Sequence, residues 1–205
     1  MEGCSRRNPF SLFPLVALAI VLALALHVKT CNATTPLHTH QGNASTEFIR
    51  TSCSVTPYPR LCFASLSSHS SAIAASPKQL AYTALSVSLN STSWTRALMS
   101  NLSLGHGMKR KEVGAMKDCI KTVSDSVDQL RRSLRKMEHL GGPELEFQIS
   151  DIRTWVSAAL TDDDTCMDGF EGNAANRGIK SIVRRHVLKV ARLTSNALAL
   201  VTNLA

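Results

Sequence analysis

No stretch of this 205-residue sequence alternates apolar and polar residues over the roughly four to eight positions that a half-buried strand needs. That absence excludes a β-rich fold. Beyond residue 33 there is also no apolar run near the roughly 20 residues required to span a membrane, so nothing after that point reads as an anchor. Chemistry is missing too. Glu-x-x-His, the inward-facing pair of carboxylate-bridged di-iron bundles, does not occur, and neither does a Gly-x-Ser-x-Gly elbow. Gly105-His106-Gly107 lacks both the third glycine and the preceding strand of a dinucleotide fingerprint. Asp164-x-Cys166-x-Asp168-Gly169 imitates the opening of a calcium loop. Its third position, however, is a thiol, and Ala175 stands where a bidentate Glu is required. His38 and His40 have no carboxylate or thiolate beside them, and His186 falls on an apolar stripe as a core histidine would. The expectation is a non-enzymatic chain with no metal and no cofactor.

What is present begins with a leader. Arg6 and Arg7 precede an uncharged run from Leu12 to Leu26, and Cys31 and Ala33 occupy the −3 and −1 positions of a cut after Ala33. This is the pattern of a secretory signal peptide, so residues 1–33 are expected to be removed and the protein to be extracellular. Of 23 basic and 15 acidic residues, Arg6, Arg7, Lys29 and Glu2 go with the leader, which leaves a formal charge of +6. Cys4 and Cys31 also go, leaving Cys53, Cys62, Cys119 and Cys166, an even count that implies two disulfides in a secreted chain. Asn43, Asn90 and Asn101 head glycosylation sequons; the sequon at Asn32 is lost with the cut. Residues 34–47 are polar, without periodicity, and read as a flexible segment. Residues 48–205 read as one domain.

Within that domain, Cys53 and Cys62 flank Thr56-Pro57-Tyr58-Pro59, where the prolines disfavour helix, so two short segments fold back as a hairpin. Four long segments with helical spacing follow. The first starts at Ser76-Pro77 and carries Leu80, Ala84, Val87, Trp94, Leu98 and Leu102. The second has Val113, Met116, Ile120, Val123, Val127, Leu130, Leu134 and Met137. In the third the stripe is Leu145, Ile149, Ile152, Val156 and Ala159, resuming at Cys166 and Phe170. The fourth shows Ile179, Ile182, His186, Val190, Leu193, Ala197, Leu200 and Leu204. Breaks at Gly105–Gly107, Gly141–Pro143 and Gly172–Gly178 make neighbouring helices antiparallel. The expected fold is all-α: an up-down-up-down four-helix bundle with an N-terminal helical hairpin.

The turn near Gly141 sets the cysteine levels. Cys119 lies 22 residues before it and Cys166 lies 25 after it, so at about 1.5 Å per residue the two fall within one helical turn of each other. Cys119–Cys166 can clamp the bundle while Cys53–Cys62 staples the hairpin. Asp162, Asp163 and Asp164 beside Cys166 are either a solvated helix end or a rigid acidic corner for recognition. Asp163 interrupts the apolar stripe, so fraying or bending is expected there. Lys109–Lys111, Arg131, Arg132, Arg135, Lys136, Arg184 and Arg185 make the surface basic. The leader excludes a nucleic-acid partner; the basic residues read as a solvated face or as weak attraction to acidic polysaccharide.

Cys53 with Thr56-Pro57-Tyr58-Pro59-x-Leu61-Cys62, Cys119 on the second long helix, and the run from Ser157 to Phe170 that contains Thr165-Cys166-x-Asp168-Gly169-Phe170 closely resemble the plant invertase and pectin methylesterase inhibitor family. The resemblance covers residues 48–204. It implies a secreted four-helix bundle with first-to-second and third-to-fourth disulfides, and a non-enzymatic protein that blocks a cell-wall enzyme in a one-to-one complex. It also implies that polar residues of the second and third long helices meet the enzyme: Thr165 and Asp168 around the fourth cysteine, Asp125 and Asp128 after the third. Lys121 departs from the acidic residue of that pattern, which bears on affinity or target range. The Pro-Lys-Phe tripeptide of some invertase inhibitors is absent, its nearest match being Pro77-Lys78-Gln79. Pectinesterase is therefore the expected partner and invertase the alternative; a weak contact to acidic pectin, and with it a non-inhibitory pectin-binding bundle, also stays open.

Overall fold

In the computed structural model, residues 38–105, 108–171 and 177–204 are described. The leader, residues 34–37 and the Gly105–Gly107 and Gly172–Gly178 breaks lie wholly or partly outside them, as do the side chains of His38, His40 and Asn43. The chain runs through helix α1 (His38–Ser54), α2 (Pro59–Leu66), a 3-10 turn (Ser67–His69) and the short α3 (Ser70–Ile73). Four long helices follow: α4 (Pro77–Ser103), α5 (Arg110–Glu138), α6 (Leu145–Asp168) and α7 (Arg177–Thr202). No strand occurs among the described residues. Each long helix packs on the next, and α7 closes the ring against α4. The direction alternates. Late α5 meets early α6 where Lys136 pairs with Asp151 at 2.9 Å, and early α4 meets late α7 where the Ser88 and Thr194 hydroxyls lie 2.6 Å apart.

One expectation changes at the N-terminus. The helical path through His38–Ser54 covers most of the segment expected to be flexible. Ser45, Ile49 and Cys53 share a buried side of α1, and once such a face is anchored each added helical residue costs little because propagation is far easier than nucleation. Pro59 does not merely break helix; it opens α2, where its missing N–H is harmless. Further on, Ser76 caps α4 by accepting the Gln79 amide at 3.3 Å. The side chain of Glu112 accepts the Lys109 amide at 2.6 Å at the head of α5. Between α5 and α6, Gly142 has φ +76°, a left-handed conformation that glycine adopts without steric cost.

The core confirms α5 best: Met116, Val123, Val127, Leu130, Leu134 and Met137 are all buried, whereas Val113, in the first turn, is 49% exposed. On α4 the expected stripe is wrong in part. Trp94 is 57% exposed, and Ser88, Thr92 and Thr95 take the interior. The hydroxyl of Thr92 donates to the Ser88 carbonyl at 2.8 Å, and such bonds to the preceding turn satisfy a buried hydroxyl. Apolar spacing cannot register such residues. On α7 the most buried line runs through Val183, Val187, Val190, Thr194, Ala197 and Val201, which turns His186 toward the rim.

Candidate functional site

Two disulfides hold the frame, Cys53–Cys62 between α1 and α2 and Cys119–Cys166 between α5 and α6, the latter with Cα atoms 4.2 Å apart. The second bridge sits in an apolar cluster with Met99, Met116, Val123, Phe170, Val183 and Val187, so the end of α6 is fixed both covalently and by packing. It carries Thr165 and Asp168, both exposed. The Thr165 hydroxyl donates to the Thr161 carbonyl at 2.7 Å, which sets its rotamer and leaves its lone pairs toward solvent. Asp168 is the last residue of α6, a turn with no basic residue. A carboxylate there opposes the helix dipole, a small local cost.

Asp125 and Asp128 lie further along α5. From the cross-link, Asp128 is nine residues down α5 and Asp168 is two residues the other way on α6. The four carried-over residues thus span roughly 16 Å of the α5–α6 face and form a strip, not a cluster. Both α5 carboxylates have cationic neighbours on their own helix, Lys121–Asp125 at 2.8 Å and Arg131–Asp128 at 2.7 Å. The Lys121 departure therefore has a visible effect: it neutralises Asp125. Its ammonium is held protonated to higher pH by its hydrogen bond to Asp125 and by the charges of Asp125 and Asp162.

The three consecutive aspartates separate into three environments. Asp164 is exposed. Asp162 is half-buried against α5; burial, then the charge of Asp125, push its pKa up, and Lys121 offsets part of this. Asp163 is fully buried within the continuous helix Leu145–Asp168, so the helix does not fray there as the broken stripe suggested. Burial pushes its carboxyl well above the usual range, reinforced by Asp162 and Asp164. Ser126 across the seam lies close enough to favour the ionised form somewhat, yet neither the Asp163 carboxyl nor the Ser126 hydroxyl completes a well-directed hydrogen bond among the described residues. Desolvation wins, and burial favours the neutral form of the Asp163 carboxyl beneath the α5–α6 face.

Of the residues singled out in the sequence, Asn90 and Asn101 are exposed on α4, where a glycan could attach. Among the described residues no three His, Cys, Asp or Glu side chains group as metal ligands. Sequence reasoning missed Asp162 as the partner of the Asp125–Lys121 pair and Glu112 as a buried cap. The capping spacing of Glu112, three residues after Lys109, was available as a signal.

A family model described as plant invertase/pectin methylesterase inhibitor matches residues 47–200. The chain is 46% identical over 162 residues to a 21 kDa protein of Daucus carota, covering 78% of this chain and 84% of that one. It is 43% identical over 166 residues to pectinesterase inhibitor 10 of Arabidopsis thaliana, covering 80% of this chain and 53% of that relative, so it spans about half of that relative's length. The solved structure of mutant form A of a pectin methylesterase inhibitor from Arabidopsis superimposes with a TM-score of 0.62. At 20% identity, covering 75% of this chain and 95% of that one, this likeness carries the fold. With a helical frame, two bridges and a family match over most of its length, the chain belongs to the plant invertase/pectin methylesterase inhibitor family of non-enzymatic proteins.

Proposed function

We propose that this protein is a secreted inhibitor of pectinesterase that forms a reversible one-to-one complex through its α5–α6 face and covers the pectin-binding cleft of the enzyme. The observation that carries the reading is the exposed Thr165/Asp168 end of α6, tied to α5 by Cys119–Cys166 with Asp125 and Asp128 along the same face. A rigid polar strip loses little entropy on docking, which favours a stable complex. Binding excludes the methyl-ester substrate and requires no chemistry from the inhibitor. The leader would deliver the chain to the apoplast, and Asn43, Asn90 and Asn101 are its candidate glycan sites. Pro77-Lys78-Gln79, the nearest match to an invertase-directed tripeptide, is the capped start of α4, engaged in helix initiation, and this favours pectinesterase over invertase.

The deciding experiment titrates the oxidised protein against panels of pectinesterases and invertases near pH 5.5, following methanol and glucose release. Stoichiometric loss of methanol release alone is expected. Loss of glucose release alone would move the assignment to invertase.

A further inference from the structure

On the other side of the ring, α7 runs between α2 and α4 and bears an unusual line of cations. Arg185, Lys189 and Arg192, at i, i+4 and i+7, are exposed and cover roughly 10 Å of helix rise. With Tyr58 and Arg60 from the start of α2 they line an open groove of about 720 Å³. The groove continues past Arg185 and Lys189 into a second hollow of about 460 Å³ beside Trp94. Among the described residues no carboxylate lies in salt-bridge range of Arg60, Arg185, Lys189 or Arg192.

An aromatic ring stands at each end, and each is positioned. The Asn196 amide, itself buried, accepts the Tyr58 N–H at 2.9 Å and donates to the Tyr58 carbonyl at 3.1 Å. Arg192 lies 5.4 Å from the centre of the Tyr58 ring. Trp94 leans on His186 with ring centroids 5.0 Å apart and keeps 57% of its surface exposed. Burial, then the neighbouring Arg185 and Lys189 charges, lower the pKa of His186, and the cations lining the groove are guanidinium and ammonium groups. Flat apolar rings at both ends with uncompensated cations between them suit a linear chain of sugar rings bearing one carboxylate each. The rings cover the apolar faces of the sugars while the cations meet the carboxylates.

We infer that this groove binds a linear polyuronate, through Tyr58 and Trp94 as stacking platforms and Arg60, Arg185, Lys189 and Arg192 as carboxylate partners. De-esterified pectin is the polyuronate that a pectinesterase leaves behind. The groove would therefore hold the inhibitor on product-rich wall while α5–α6, on the opposite side of the bundle, stays free for the enzyme. That physiological meaning rests on the proposed inhibition; the binding itself does not.

The test is a binding titration containing no pectinesterase, so its outcome is independent of the inhibitory reading. The full secreted protein is titrated with polygalacturonate fragments, with fully methyl-esterified pectin, with dextran sulfate and with polyglutamate. Because Asn90 lies one turn before Trp94, all forms are compared in an Asn90→Gln background. Expected is binding to polygalacturonate and not to the ester. Arg185→Gln with Lys189→Gln should weaken it at least tenfold and flatten its salt dependence. Trp94→Ala and Tyr58→Ala should each weaken it severalfold without changing the salt dependence; Trp94 alone suffices should the Tyr58 variant fold poorly. The inference fails if polygalacturonate does not bind. It also fails if Arg110→Gln with Lys111→Gln, outside the groove, causes the same loss. Dextran sulfate or polyglutamate binding as tightly, with Trp94→Ala silent, would mark an unspecific anion patch or a peptide site instead.

Discussion

On the α5–α6 face Lys121 meets Asp125, Arg131 meets Asp128 and Lys136 meets Asp151, all within 2.9 Å. On the face made by α2, α4 and α7, Arg60, Arg185, Lys189 and Arg192 have no such partner among the described residues. The formal charge of +6 carried by residues 34–205 is thus not an even coat. Exposed ion pairs contribute only about 0–1 kcal/mol, so the pairing does little for stability; what it changes is the field each face presents. Around Asp125, Asp128 and Asp151 the first face sets each carboxylate against a cation, with Arg132 and Arg135 beside Trp155 as its further charges; under the proposed inhibition each paired carboxylate would exchange a weak internal partner for one on an enzyme. The other is an open cationic groove that attracts anions at a distance. A bulk charge count cannot distinguish these two surfaces.

The largest expected effect comes from uncoupling the first face from its support. Loop-closure entropy assigns the 47-residue Cys119–Cys166 separation about 4 kcal/mol and the nine-residue Cys53–Cys62 separation about 2.5 kcal/mol. Urea unfolding of Cys119→Ser/Cys166→Ser and Cys53→Ser/Cys62→Ser should reproduce that order. Only the first pair should also abolish inhibition under conditions where the protein remains folded, since it alone fixes α6 to α5. Equal effects of the two on inhibition would remove the clamp from the mechanism.

Next is the strip itself. Thr165→Ala with Asp168→Ala should weaken pectinesterase inhibition at least tenfold, about 1.4 kcal/mol, and leave polygalacturonate binding unchanged. Carboxylates that pair with enzyme cations have lowered pKa values in the complex, so affinity should fall as pH drops through the carboxylate range. Inhibition constants measured from pH 7 to 4 check the sign.

A comparable but opposite effect on stability is expected beneath the face. Asp163 has a raised pKa in the folded protein because burial disfavours its anion. Below the unfolded value of about 3.9 the group is protonated in both states and costs nothing by ionisation. The penalty appears as pH rises through that value and is complete above the folded pKa. Asp163→Asn should therefore stabilise the protein by about 1–2 kcal/mol at pH 7 and have almost no effect at pH 3, as thermal unfolding at both values would show. The smallest effect belongs to Lys121→Glu. It frees Asp125 and places an acidic residue at that position, so it should alter affinity for particular pectinesterases severalfold while lowering stability by no more than about 0.5 kcal/mol.

Much of the frame was legible. The α5 stripe reads correctly because its apolar interior residues keep 3-4 spacing along the helix, with the polar Glu112, Ser126 and Ser133 only interleaved among them, and the level of Cys119 against Cys166 follows from counting residues to a turn. The α4 stripe reads poorly because its interior is partly hydroxyl-lined: Thr92 bonds back to its own helix and Ser88 meets Thr194 of α7, and neither leaves an apolar signature. The start of α1 was missed because polar residues carried into a helix by an anchored Ile49–Cys53 face have no periodicity of their own.

The candidate residues show the same division. Periodicity and spacing along the chain determined four antiparallel helices and the shared level of Cys119 and Cys166, since each depends on the geometry of one helix or one turn; Thr165 and Asp168 were singled out by the family resemblance of the sequence around Cys166. Which of three adjacent aspartates faces solvent, a lysine or the core was decided by the neighbouring helix. So was the alignment of Tyr58 and Trp94 with the cations of α7, three segments far apart in sequence. Helical spacing sets which residues share a side; only packing sets what that side meets.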